Sequence, residues 1–226
     1  MSIIKVENLV KIYNSGAVPV TAVDGINVEF EKGEFTSIVG PSGCGKTTFL
    51  NMLGGLNEPS KGRIVIDSID ISKLKSKQLI DFRLHNIGFV FQAFNLIPVL
   101  TVKENIEFIM QLQGISAEER EKRVDVLLEQ VGLLDRKNDR PNKLSGGQQQ
   151  RVAVARALAA KPKFILADEP TANLDSKSTE NLLDIMLKLN KTEDTTFIFA
   201  THDNRVMKKA RRLLVLEDGK IIKDEK

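Results

Sequence analysis

Phe35-Thr-Ser-Ile-Val-Gly-Pro-Ser-Gly-Cys-Gly-Lys-Thr47 decides the architecture of this chain. The first five residues read as a short buried strand, and a glycine-rich turn follows. Gly40 to Thr47 match G-x-x-x-x-G-K-[S/T] between a strand and a helix, the context that makes this spacing a P-loop. Phe49, Leu50, Met52 and Leu53 then fall along one helical face. The glycines let backbone N–H groups wrap phosphate oxygens at a helix N-terminus. Gly40, Ser42, Gly43, Cys44, Gly45, Lys46, Thr47 and Thr48 are therefore the expected phosphate contacts. Lys46 is expected to bring a point charge to the β- and γ-phosphates, and Thr47 a hydroxyl to Mg²⁺.

Upstream of this cradle, Ile3 to Val10 and Thr21 to Phe30 read as strands, with a turn signal at Asn14-Ser15-Gly16. The second strand carries Val23, Ile26, Val28 and Phe30. Arg63 to Ile66 and Ile87 to Phe91 read as further strands. Between Gln92 and Lys143 the pattern turns helical. Thr101-Val-Lys-Glu104 and Ser116-Ala-Glu-Glu119 are both capping boxes, and Val124, Leu127, Leu128 and Val131 continue the second helix. Phe164-Ile-Leu-Ala167 and Phe197-Ile-Phe-Ala200 are continuous apolar runs suited to a parallel sheet, with Leu182 to Leu189 as the crossover helix. Leu213 to Leu216, a turn at Asp218-Gly219 and Lys220 to Ile222 form the last hairpin. The expected fold is α/β.

At 226 residues, with 42% hydrophobic and 28% charged, the composition is that of an ordinary globular protein with a substantial core. A balance of 33 basic against 30 acidic residues gives +3, too small to argue for nucleic-acid binding. No apolar stretch approaches the roughly 20 residues that span a membrane. The opening Met-Ser-Ile-Ile-Lys lacks the apolar core of a signal peptide, and the single cysteine fits a reducing compartment. A cytoplasmic chain is expected, with any membrane role exercised through a partner.

Two further motifs carry chemistry. Phe164-Ile-Leu-Ala-Asp168-Glu169 is an apolar strand ending in adjacent carboxylates, and in nucleotide-binding sheets such a strand end lies beside the P-loop. Asp168 is expected to hold the metal shell, and Glu169 to orient and deprotonate an attacking water. Leu144-Ser-Gly-Gly-Gln148 presents a second cluster of backbone N–H groups at a helix start, about a hundred residues from the first. Ser145 and Gln148 also form a capping box, so a well-capped helix without any ligand explains the same residues. Two phosphate-binding surfaces so far apart suggest a nucleotide clamped between them.

That pairing resembles the ATP-binding cassette (ABC) family, and the match runs in order from about Ile3 to Gly219. The resemblance implies a P-loop NTPase core with a mixed sheet, an amino-terminal antiparallel β subdomain and an inserted helical lobe. It places all 226 residues in one domain, with the core at about 1–91 and 145–226 and the lobe at about 93–144. It also implies ATP and Mg²⁺ as cofactors and a homodimer on ATP binding. In that dimer Ser145, Gly147 and Gln148 contact the γ-phosphate held by the other subunit. Gln92 takes the place of the Q-loop glutamine, a metal ligand and relay. Asn173-Leu-Asp175 takes that of the D-loop, and His202 that of the switch histidine. Read alone, a glutamine after a strand is an ordinary polar edge, Asp175 a helix cap, and a lone histidine structural. His85 is read as structural. Tyr13, the only tyrosine, stands where similar proteins stack adenine, or else is a half-buried strand residue. Cys44 departs from the family's more usual serine, and its side chain is not expected to touch phosphate.

Asn86 to Thr101, with Glu104-Asn105 and the run Gln148-Gln-Gln-Arg151, is similar to the ATPase subunits of lipoprotein-releasing and macrolide-efflux systems and the related cell-division cassette. This resemblance implies an integral membrane permease of that type as partner, at the cytoplasmic face of the inner membrane. Phe94, Leu96, Ile97 and Val99 would line part of the docking groove, although packing of the lobe against the core accounts for such residues equally. Export of a lipoprotein, peptide or drug-like cargo is expected. The alternative is a cassette that transmits force across the membrane without moving a substrate.

Overall fold

Alternating apolar residues and continuous apolar runs build two different sheets. The computed structural model describes residues 2–14 and 18–226. Its first strands are β1 (Ser2–Tyr13), β2 (Val20–Glu31), β3 (Phe35–Val39), β4 (Lys61–Ile66) and β5 (Ile69–Asp70). They are followed by β6 (Ile87–Val90), β7 (Phe164–Asp168), β8 (Thr196–Ala200), β9 (Arg212–Glu217) and β10 (Lys220–Glu225). The helices are α1 (Lys46–Leu53), α2 (Ser76–Asn86), α3 (Val102–Leu112), α4 (Ala117–Gln130), α5 (Gly146–Ala159), α6 (Ser176–Thr192) and α7 (Asn204–Lys209).

The first sheet is antiparallel, in the order β2-β1-β4-β5. Val23, Ile26, Val28 and Phe30 face its core, although the step from Val23 to Ile26 breaks the two-residue period. A shift in the β1–β2 ladder absorbs the break: Leu9 pairs with Ile26 and Lys11 with Val23. A bulge of this kind keeps these four apolar side chains on the buried face. Ser15 and Gly16 of the expected turn lie outside the described residues.

The second sheet has the order β10-β9-β3-β8-β7-β6 and is parallel apart from β10. Both faces are covered, which is why its strands read as unbroken apolar runs. Phe35, Ile165, Ala167, Phe197 and Phe199 join one core, with α3 to α6. Ile38, Phe164, Leu166, Ile198 and Ala200 join the other, with α1, α2 and the first sheet. Helices α3 and α4 follow β6 and pack on α5, forming the helical layer expected after Gln92.

Helix starts follow the capping patterns with one exception. Thr101 and Glu104 complete their box, the Thr101 N–H donating to Oε2 of Glu104 at 2.7 Å. At Ser116 only half of the expected box forms. The Glu119 N–H donates to Ser116 Oγ at 3.4 Å, but the Glu119 carboxylate accepts from the Ser116 hydroxyl, not its backbone. Helix α2 was not apparent in the sequence because Phe82 is its only buried residue, so it has no apolar stripe to read.

Candidate active site

The chain leaves β3 at Val39 and crosses the end of the sheet to α1. Two glycines make that crossing possible. A Cβ on Gly40 would lie 2.0 Å from the Leu216 carbonyl oxygen, and one on Gly45 2.1 Å from that of Ala22. Gly45 also takes φ 106° as the N-cap of α1, a conformation other residues rarely adopt. It offers no side chain to cap the helix, so the first-turn N–H groups stay available to an anion. Lys46 is 8% exposed, and its Nζ donates to the Gly40 and Pro41 carbonyl oxygens at 2.8 and 2.9 Å. Cys44 is buried with its Sγ 4.0 Å from Nζ.

A cleft of about 660 Å³ opens over this loop, lined by Ala22, residues 40–43 and 45–48, Gln92, Glu169, Ala172 and His202. Strand β8 stands between β3 and β7, so the carboxylate strand is not the immediate neighbour of the P-loop strand. The two still meet: Thr47 Oγ1 donates to Asp168 Oδ1 at 3.0 Å. Burial pushes the Asp168 carboxyl up, and the neighbouring Glu169 charge adds to this. The Thr47 hydroxyl and the Lys46 charge oppose it.

Glu169 sits at φ 45°, its N–H donating to the Ala200 carbonyl at 2.8 Å. Both its carboxylate oxygens have partners. Oε1 lies 2.7 Å from His202 Nδ1, and Oε2 accepts from Thr201 Oγ1 at 2.9 Å. Thr201 is fully buried at the end of β8 and in turn accepts from the Asp203 N–H at 3.0 Å. The Arg205 guanidinium, assisted by the Arg205 N–H and the Thr171 hydroxyl, holds the Asp203 carboxyl down to about 2. The loops bearing Glu169 and His202 are thus tied together. Thr201 carried no separate signal in the sequence, where it reads only as the polar end of a strand.

Other expected residues lie around this centre. Asn173 Nδ2 donates to the Gln92 backbone carbonyl at 2.9 Å, and Asp175 caps α6 through the Ser178 N–H, also at 2.9 Å. Tyr13 is not among the cleft residues. Its hydroxyl accepts from Asn57 Nδ2 at 3.0 Å, and Lys11 Nζ lies 5.1 Å from the ring centre, so one face is occupied. His85 is exposed and bonded only to residue Asp81 of its own helix. Phe94, Leu96 and Ile97 are half-buried while Val99 is 71% exposed. The signature residues Leu144 to Gln148 do not line the cleft either. Ser145 and Gln148 bond each other's backbone as a complete capping box, at 2.8 and 3.3 Å.

A family model described as ABC transporter matches residues 23–172 of this chain. The chain belongs to that family. An uncharacterized ABC transporter ATP-binding protein of Methanocaldococcus jannaschii is 46% identical over 227 residues, covering 99% of this chain and 97% of its own length. The lipoprotein-releasing system ATP-binding protein LolD of Legionella pneumophila is 40% identical over 215 residues, 95% of each chain. Among solved structures, a dimeric post-hydrolysis ATP-binding cassette bound to ADP and Pi superposes with a TM-score of 0.90 at 44% identity, covering 99% of this chain and 98% of that one. The protein is an ABC ATPase, an ATP-hydrolysing cassette with ATP as its nucleotide and the family's α/β fold. ABC ATP-binding subunits dimerise and pair with membrane permeases, and no helix among the described residues is long and apolar enough to cross a membrane.

The donor set fits the Mg²⁺ that accompanies ATP. A hydroxyl and a desolvated carboxylate meet at one point beside the phosphate loop, and hard oxygen ligands are what this ion takes. Thr47, Asp168 and, from the cleft wall, Gln92 could hold it.

Proposed function

We propose that this chain is the motor of a membrane export or extraction system, acting as a head-to-tail pair of cassettes. One observation carries the reading. A single cleft gathers Lys46, Thr47, Gln92, Glu169 and His202 and adjoins Asp168, yet excludes the signature peptide of the same chain. A nucleotide seated there leaves its γ-phosphate facing outward, where Ser145, Gly147 and Gln148 of a second copy complete the contacts.

In this scheme the cradle residues hold the phosphates, with Lys46 moving its ammonium from the loop carbonyls toward the γ-phosphate. Tyr13 stacks on the base. Bound Mg²⁺ would neutralise charge on the phosphate oxygens. Glu169 orients water and takes its proton. His202 keeps the Glu169 carboxylate aimed until the γ-phosphate competes for the imidazole. Closure gains from γ-phosphate contacts that ADP cannot make, the differential affinity a two-state change requires. Residues about 93–144 form the lobe that moves against the core of about 1–91 and 145–226.

Similarity to LolD supports a permease of the lipoprotein-release type, and the stretch Asn86 to Thr101 leaves the macrolide-efflux and cell-division types beside it, at the cytoplasmic face of the membrane. Exposed Val99 and half-buried Phe94 are suited to docking it, whereas Leu96 packs against the core. Purifying the chain from native membranes together with any membrane subunit bound to it tests this reading. A stable complex whose ATPase rises on addition of cargo is expected. A complex whose ATPase responds only to a periplasmic enzyme would establish force transmission instead, and no complex at all would overturn the motor assignment.

A further inference from the structure

Gln150 lies in α5, four residues beyond Gly146, and is fully buried. Its Nε2 donates to the Pro170 carbonyl at 2.8 Å and more weakly to that of Phe91 at 3.4 Å. Those carbonyls belong to the residues immediately after Glu169 and immediately before Gln92. Strands β6 and β7 stop pairing at Val90 and Ala167, so no ladder bond joins the chains beyond that point. The Gln150 amide bridges the gap. The Asn173 side chain adds a second link, to the Gln92 carbonyl, from the same loop as Pro170.

The amide acts here only as a donor. Its Oε1 is buried without a protein partner, so its place is set by the two carbonyls that its Nε2 joins. We propose that Gln150 is a positioning residue for hydrolysis, fixing the separation of Gln92 and Glu169 and tying it to the signature helix. The N-terminus of that helix is the Ser145–Gln148 cap, so a shift of α5 on closure is transmitted by one side chain to the water-activating end of the subunit's own cleft. This inference rests on the roles given above to Gln92 and Glu169. Loss of hydrolysis in Glu169→Gln and in Gln92→Ala, measured alongside, tests those roles separately.

Steady-state ATPase kinetics, nucleotide binding and thermal melting of full-length Gln150→Met and Gln150→Glu provide the test. Gln150→Met removes both donors and the orphaned oxygen at nearly constant volume, and Gln150→Glu places acceptors against two carbonyls. The expected result is kcat lower by about tenfold or more in Gln150→Met, and lower still in Gln150→Glu, with KM and nucleotide affinity within about twofold of wild type. Gln150→Met, which leaves the Pro170 carbonyl without its donor, should melt somewhat below wild type, with a fall in kcat larger than the melting shift accounts for. A folded Gln150→Met with wild-type kcat would overturn the proposal, as would rates that fall only in step with melting temperature or nucleotide affinity. Should Gln150→Met not fold, the same kcat-against-KM comparison in Gln150→Glu decides the matter.

Discussion

The chain contains two glycine-rich helix starts that look alike in sequence and differ in what they leave free. At α1 the N-cap is Gly45, which has no side chain, so the helix end is bare toward the cleft. At α5 the N-cap is Ser145, and it and Gln148 already satisfy each other's backbone. A bare end receives phosphate at no cost in existing bonds. A capped end has fewer donors to offer, here the N–H groups of Gly146 and Gly147 and the Ser145 hydroxyl, and they bind well only where several contacts form together. In the proposed dimer the first site binds ATP in a single subunit and the second engages on closure. Their surroundings differ in the same sense. Glycines 40 and 45 abut backbone carbonyls that cannot move aside, whereas Gly147 faces the Ser178 side chain, its would-be Cβ 3.0 Å from Ser178 Cβ and Oγ.

The largest effect expected is on chemistry in the prebuilt cleft. Glu169→Gln should lower kcat by about 10²–10⁴-fold while ATP affinity, measured by equilibrium titration, stays near wild type. Undiminished turnover would remove Glu169 from the proton-transfer role. The glycine contrast comes next. Gly45→Ala, driven into a carbonyl at a left-handed position, should cost nucleotide binding by the isolated subunit at least about tenfold. Gly147→Ala should leave that binding unchanged, gain helix propensity of up to about 1 kcal/mol and lower only hydrolysis. Equal losses of binding at both positions would erase the distinction between the two helix ends.

Asp203 tests how firmly the loops of the cleft are held. Its folded carboxyl lies at about 2, below the usual value near 4, so its stabilisation is full at neutral pH and lost as pH falls from about 4 through 2. Asp203→Asn should therefore be less stable by on the order of 2 kcal/mol at pH 7, measured by denaturant titration, with the gap from wild type closing toward pH 2. A gap that persists in acid would assign the effect to packing. The smallest effect on stability belongs to the cap. Ser145→Ala should cost about 1 kcal/mol of stability by denaturant titration and spare nucleotide binding by the subunit, while hydrolysis is lost.

The same contrast explains what was legible in the sequence. The P-loop, the carboxylate strand and the signature carry their chemistry in fixed spacings, so Gly40 to Thr47, Asp168-Glu169 and Leu144 to Gln148 could be read directly. The parallel strands were legible because a sheet covered on both faces leaves unbroken apolar runs. Helix α2 was not, since one buried phenylalanine makes no periodicity. Thr201 and Gln150 escaped for another reason. A buried threonine at a strand end and a glutamine inside a helix gain their roles only from carbonyls and carboxylates distant in the chain. Tyr13 shows the reverse limit: its position was readable, but its contacts with Asn57 and Lys11 were not.

The account stands or falls on the two helix ends meeting across a dimer. Glu169→Gln, alone and combined with Ser145→Arg, should be run by gel filtration in saturating Mg-ATP, with bound nucleotide counted per chain. The single variant is expected to elute at twice the subunit mass, and the double variant as a monomer still holding one ATP. A monomeric single variant with ATP bound, or a double variant that still dimerises, would contradict the account.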